Sequence, residues 1–220
     1  KIISIKMDNI YNIGDNFLGC NKSLEELYAP DLIKVGNYFL HYNKTLQILE
    51  FPNITEIGSY FLRWNEMLLE LCAQNLKVVG NSFLSDNGSI QKLKLPNLTK
   101  VGIDFLRYNK SLYELYAPKL TMVGSYFLYY NQKLQELKLP NLTKVSNNFL
   151  YWNKVLKKLY APKLTSVGFS FLYYNEELQD LYAPNLIDID DSFLYYNHKL
   201  RTKVLFEIES RDNKNKKRIR

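Results

Sequence analysis

LQELKLPNLTKVSNNFLYWN, residues 134–153, decides how this chain is built, because nearly the same wording stands on either side of it. Residues 112–131 read LYELYAPKLTMVGSYFLYYN, and residues 156–175 read LKKLYAPKLTSVGFSFLYYN. The offset is 22 residues, and Phe17, Phe39, Phe61, Phe83, Phe105, Phe127, Phe149, Phe171 and Phe193 keep it without a gap. Leu follows each of these Phe residues, and Asn stands four residues beyond each. A strict period of this length marks stacked coils, none of which buries a core alone.

Each part of the unit has a physical reading. Leu137 and Leu139 alternate as a strand does, which places them inside and Glu136 and Lys138 outside. Pro140 and its counterparts cannot donate to a ladder, so pairing is expected to stop there. The following L-x-x-V-G supplies two more inward residues and then a Gly, as at Gly58 and Gly124, expected to turn the chain with φ above zero. Phe and Asn at i and i+4 then share a face, which suggests a short helical or 3₁₀ return. The expectation is an α/β repeat solenoid of nine 22-residue coils, with a parallel sheet on one face and short helical, 3₁₀ or turn segments on the other. Phe39, Phe61, Phe105, Phe127 and Phe149 would form a core column. Asn43, Asn65, Asn109, Asn131 and Asn153 would be structural, as buried amides bonded to backbone above and below. The glycosylation-type triplets at Asn21, Asn43, Asn87 and Asn109 coincide with that column, whereas Asn53, Asn97 and Asn141 are better exposed acceptors.

The order LxxLxLP, LxxVG, then Phe resembles the BspA-like leucine-rich repeats of bacterial surface proteins, over residues 2–200. Members of that family often carry Ala before the Phe and Cys near the place of the Asn; this chain does not. The resemblance implies an extracellular or cell-surface setting and an adhesin-type role. On this reading the chain is a non-catalytic binding module that presents its sheet to a protein, or to a glycan. The alternative is a substrate- or partner-recruiting arm of an intracellular bacterial effector.

Outward positions on the strand side supply the candidate partner contacts: Tyr28, Lys94, Glu114, Tyr116, Glu136, Lys138, Lys158, Tyr160, Asp180 and Tyr182. Tyr offers apolar area and a hydroxyl at small entropic cost. The competing reading is that each Tyr merely covers its neighbours' aliphatic stems. Two more aromatic columns precede the Asn, one running Tyr42, Trp64, Tyr108, Tyr130, Trp152, Tyr174 and Tyr196, the other Tyr129, Tyr151, Tyr173 and Tyr195. One is expected to stack between coils, leaving the other exposed along the C-terminal half.

Chemistry finds little purchase. Cys20, Cys72, His41 and His198 are scattered, which reads as neither a zinc site, nor a Cys/His catalytic pair, nor a disulfide. No nucleophile has a recognisable base, and no Gly-rich phosphate loop occurs, so no enzyme, cofactor, metal or small-molecule substrate is expected. No apolar run reaches the length of a membrane span. Five of the seven net positive charges fall in residues 211–220, RDNKNKKRIR, read as a solvated, disordered tail rather than a nucleic-acid site. Residues 2–199 form the solenoid, and residues 200–210, with Val204, Leu205, Phe206 and Ile208, are its expected cap. At the other end Ile2, Ile5 and Met7 enter in register with no cap before them, which suggests a fragment or a covered first coil. Residues 71–90 form an irregular coil, with Gln74 for Pro and Asp86 for the aromatic, read as tolerated drift.

Overall fold

A three-residue strand with one Leu at its centre can bury only that Leu, and the chain repeats this device eight times, after a first strand centred on Ile5. In the computed structural model, which describes residues 2–190, 192–200, 210 and 214, these strands are β1 (Ser4–Lys6), β3 (Glu26–Tyr28), β5 (Ile48–Glu50), β7 (Glu70–Cys72), β9 (Lys92–Lys94), β11 (Glu114–Tyr116), β13 (Glu136–Lys138), β15 (Lys158–Tyr160) and β16 (Asp180–Tyr182). They pair in parallel with a register of 22 residues, as Lys92 opposite Glu114 and Lys94 opposite Tyr116, in sheets of two or three strands laid side by side. A second side of each coil carries two-residue strands: β2 (Asn12–Ile13), β4 (Lys34–Val35), β6 (Glu56–Ile57), β8 (Val78–Val79), β10 (Lys100–Val101), β12 (Met122–Val123) and β14 (Lys144–Val145). These seven form one continuous parallel sheet, which thins to the single bridges Lys144–Ser166 and Ser166–Asp188.

Eight full coils lie between β1 and β16. Of the expected cap only Leu200 and Ser210, and of the tail only Lys214, are among the described residues.

The third side is where expectation and structure part. Among the described residues it contains turns, with no helix, and the reason lies in its backbone. Tyr38, Leu40 and Tyr42 have φ of 59°, 56° and 58°, and the same alternate positions repeat along the molecule. Left-handed residues at every second place cannot continue a right-handed helix. Each costs on the order of 1 kcal/mol for a residue with a Cβ, and hydrogen bonding to the adjacent coils offsets this. Tyr38 N–H donates to Ser59 O at 2.8 Å, Leu40 N–H to Phe17 O at 3.2 Å and Tyr42 N–H to Arg63 O at 2.8 Å.

The glycines also act otherwise than expected. None has positive φ. A Cβ at Gly58 would lie 2.5 Å from the Gly36 carbonyl carbon, and one at Gly124 would lie 2.6 Å from that of Gly102. Their role is close approach of successive coils, which a side chain would prevent.

Inside, nine Phe rings from Phe17 to Phe193 stack with centroids 5.3 to 6.2 Å apart. Phe39 through Phe171 are fully buried, flanked by the Leu and Val columns. Beside them runs the Asn column, from Asn43 to Asn175, also fully buried. In each of these coils the Asn Nδ2 donates to backbone carbonyls, as Asn153 does to Leu128 O at 2.9 Å and Tyr151 O at 3.3 Å. The Oδ1 of Asn153 and of Asn87 also accepts an N–H, from Asn131 at 2.9 Å and Asn65 at 3.1 Å, whereas the buried Oδ1 of Asn43, Asn65, Asn109, Asn131 and Asn175 has no partner among the described residues.

Candidate partner-binding face

On the side formed by the three-residue strands, the middle Leu points in and its two neighbours point out, giving two outward rows that run the length of the molecule. Tyr28, Lys94, Tyr116, Glu136, Lys138, Lys158, Tyr160 and Tyr182 are exposed, and Glu114 and Asp180 are half-buried. The pairing register places Lys138 beside Tyr160, and Tyr160 beside Tyr182. Tyr160 and Tyr182 stack face to face, with centroids 5.1 Å apart and planes 4° apart. Glu114 is bridged by Lys92 at 3.3 Å, and Glu136 by Lys158 at 3.6 Å. Hydrogen bonds to the Tyr113 hydroxyl and to Glu114 raise the Lys92 pKa, so the ammonium keeps its charge. Among the described residues, Lys94 and Lys138 make no ion pair, so their charges are offered to solvent on either side of Tyr116. Tyr28 stands apart, four coils from Tyr116, or about 19 Å at the usual strand spacing. There Lys6 lies 5.6 Å above its ring.

The face is not smooth. Open concavities of about 980, 520 and 280 Å³ succeed one another along it, the first spanning β1 to β5, the second β7 to β9 with Tyr113 at its edge, and the third β13 to β16. Exposed apolar side chains that the repeat pattern did not single out line the first two: Met67 with Ile48 in one, Leu69 with Tyr113 in the other. Met67, Leu69 and Tyr113 lie just before the strands, at variable positions of the unit, and only their departure from the polar residues of other coils marks them in the sequence.

Comparison with known proteins follows from this geometry. A model described as the BspA type leucine rich repeat region, in six copies, matches residues 1–113 and 99–211. The chain belongs to the BspA-type leucine-rich repeat family. Among solved structures, a leucine-rich repeat protein from Bacteroides ovatus is similar at a TM-score of 0.58 and 15% identity, covering 90% of this chain and 65% of its own. The pneumococcal vaccine antigen PcpA is similar at a TM-score of 0.54 and 16% identity, covering 90% of this chain and 55% of its own. This chain therefore spans less than two thirds of either. A search of curated proteins found no match.

The turn side of this BspA-type solenoid carries both aromatic columns; one stacks throughout, and the other makes mostly edge-to-face and tilted contacts. Tyr129, Tyr151, Tyr173 and Tyr195 lie 5.3, 5.0 and 5.8 Å apart with planes within 18°. The neighbouring column interlocks with it, Tyr130 against Trp152 at 5.5 Å and Tyr174 on Tyr196 at 4.3 Å. The stacked rings of the Tyr129 column spend their faces on each other, as do Tyr174 and Tyr196, whereas Tyr130 and Trp152 meet edge to face at 85°. Burial pushes the Tyr129, Tyr151, Tyr173 and Tyr174 phenols up from their ordinary pKa. In the N-terminal coils Arg takes the ring's place: Arg63 lies 3.9 Å over Trp64, and Arg107 lies 4.9 Å over Tyr108. Asp86, the irregular residue, accepts from Arg63 at 3.2 Å and so keeps its coil tied to the previous one.

Of two readings of single residues, one stands and one is corrected: Asn53 is exposed and Asn97 and Asn141 are half-buried, against fully buried Asn43, Asn87 and Asn109. Asn53, Asn97 and Asn141 have their Nδ2 occupied, each donating to a backbone carbonyl of the preceding coil at 2.8 to 3.0 Å. Cys20 and His41, which appeared scattered, are in contact: Sγ lies 3.4 Å from Nε2. Their separation of 21 residues is one coil less one residue. Cys72 lies elsewhere, and both cysteines are free. No group of three or more metal-ligating side chains occurs among the described residues, and no helix there is long and apolar enough to cross a membrane.

Proposed function

We propose that this chain is a non-catalytic binding module whose three-residue-strand face recognises a protein partner, in an adhesin-type protein of the bacterial surface or its surroundings. One observation carries this reading most: the strand face keeps Tyr, Lys and Glu side chains exposed on a rigid ladder, while the other aromatic surface uses its ring faces internally. Tyr116, Tyr160 and Tyr182, with Lys94 and Lys138 beside them, combine apolar area, hydroxyls and positive charge along several coils. Such groups dominate protein recognition surfaces. Membership of a repeat family built for extended binding surfaces supports the class of function. The likeness to a protein described as a vaccine antigen supports the setting. A glycan is the weaker ligand, because sugar stacking needs open ring faces, and Tyr160 and Tyr182 cover one another in part.

The test is a binding screen of the purified chain against extracellular matrix proteins, with a glycan array in parallel. A Tyr116→Ala/Tyr160→Ala/Tyr182→Ala variant, shown to be folded, is screened beside it. A protein partner is expected, with affinity falling at least about tenfold in the variant, as for loss of aromatic anchors. A partner that binds both forms equally would place the site elsewhere.

A further inference from the structure

We propose that Cys20 and His41 form a reactive thiol site, at which a disulfide-bearing molecule is captured by thiol–disulfide exchange. The thiol does not stand alone. Cys20 is exposed, and the His41 imidazole of the next coil meets it with Nε2 at 3.4 Å from Sγ. His41 Nδ1 lies 2.8 Å from Tyr38 O. A carbonyl only accepts, so Nδ1 carries the ring proton and Nε2 presents its lone pair to the thiol. Nucleophile, base and a third group that orients the base are thus in place.

The surroundings are shaped for this contact. In the column that holds His41, Arg63, Ser85, Arg107 and then four Tyr residues, the first coil has Gly19. A Cβ there would lie 2.2 Å from His41 Cε1, so the imidazole occupies space that only glycine leaves free. The edge of the Tyr38 ring arrangement, with centroids 5.4 Å apart and planes at 71°, steadies His41 from another side. Cys72 provides the contrast within the same molecule. Its thiol donates to Glu70 Oε1 at 3.4 Å, and burial together with Glu70 and Glu50 pushes its pKa up. One thiol faces a base and the other faces carboxylates that keep it protonated.

The step balances without another reactant. His41 Nε2 takes the Cys20 proton, and the thiolate attacks one sulfur of the incoming disulfide. The new S–S bond forms as the old one breaks, and the departing thiolate takes the proton from the imidazolium. The product is a mixed disulfide at Cys20, on the turn side and remote from the strand face.

Oxidised glutathione is the probe. The folded chain is incubated with it, quenched in acid and digested, and the mixed disulfides at Cys20 and Cys72 are followed by mass spectrometry. Cys20 is expected to react about tenfold faster than Cys72 or more. His41→Ala is expected to slow Cys20 several-fold although it uncovers the sulfur. Gly19→Ala, which keeps both partners and displaces the ring, should do the same. The Cys72 rate reports in each variant whether the coils remain intact. Equal rates at the two cysteines of the unaltered chain would overturn the proposal. So would a Cys20 rate that is unchanged or raised by His41→Ala while the Cys72 rate stays constant.

Discussion

Asn153 shows how much a single residue of the unit does. Its amide bonds two carbonyls and one N–H from three places in the backbone, with no water-facing surface. Asn153→Ala leaves Leu128 O and Asn131 N–H without this partner, each worth about 1 to 3 kcal/mol, while Tyr151 O keeps the bond from Tyr130 N–H at 3.0 Å. We expect a loss of about 2 kcal/mol or more on denaturant unfolding, against less than about 0.5 kcal/mol for an exposed change such as Lys138→Ala. The place of this Asn was legible in the sequence, because a polar residue repeating without fail four residues from a core Phe needs partners that only stacking supplies. The left-handed backbone at Leu40 and Tyr42 was not. Bulky residues are ordinarily poor candidates for φ above zero, so the i and i+4 spacing of Phe and Asn argued for a helix instead. Cys20 and His41 were missed for a similar reason: partners one coil apart look remote in a linear reading.

At the scale of the element, the glycine column and the tyrosine stack make separate predictions. Gly124→Ala forces a methyl to within 2.6 Å of the Gly102 carbonyl carbon, in backbone that cannot swing aside. Separation of β10 from β12 is expected, with a loss of about 1 to 3 kcal/mol, and faster amide exchange at Val123 and Gly124. Unchanged exchange at Val123 and Gly124, whose amide donates to Val101 O at 3.2 Å, would contradict this close-approach role. The tyrosines speak through alkaline pH. Burial keeps the Tyr129, Tyr151, Tyr173 and Tyr174 phenols protonated in the fold beyond the pH, about 10, at which tyrosines of an unfolded chain ionise. The fold then binds more protons than the unfolded chain, so the contribution is complete below that pH and is lost as pH rises through the elevated values. Tyrosinate absorbance of the native chain should therefore lag that of the denatured chain, and stability should fall across the same interval. Coincident titrations would show that the columns are solvated.

Over the whole molecule, the repeat dictates two surfaces with different uses. The Phe period and the alternation around Leu137 made the ladder and its outward rows readable in advance. They could not tell which aromatic column would remain open, since ring stacking depends on backbone directions that the letters do not display. Nor could they foresee the concavities beside Met67, Leu69 and Tyr113, which arise where variable residues interrupt an otherwise even ridge. The account assigns recognition to the strand face and cohesion to the turn face. Its most direct test is a paired affinity measurement on one protein partner, comparing Tyr116→Ala/Tyr160→Ala/Tyr182→Ala with Tyr151→Ala/Tyr173→Ala, each checked by thermal unfolding. The account predicts that the first variant keeps its stability and loses binding about tenfold or more, and that the second loses stability and, where folded, binds as before. Loss of binding in the folded turn-face variant, with the strand-face variant unaffected, would contradict it.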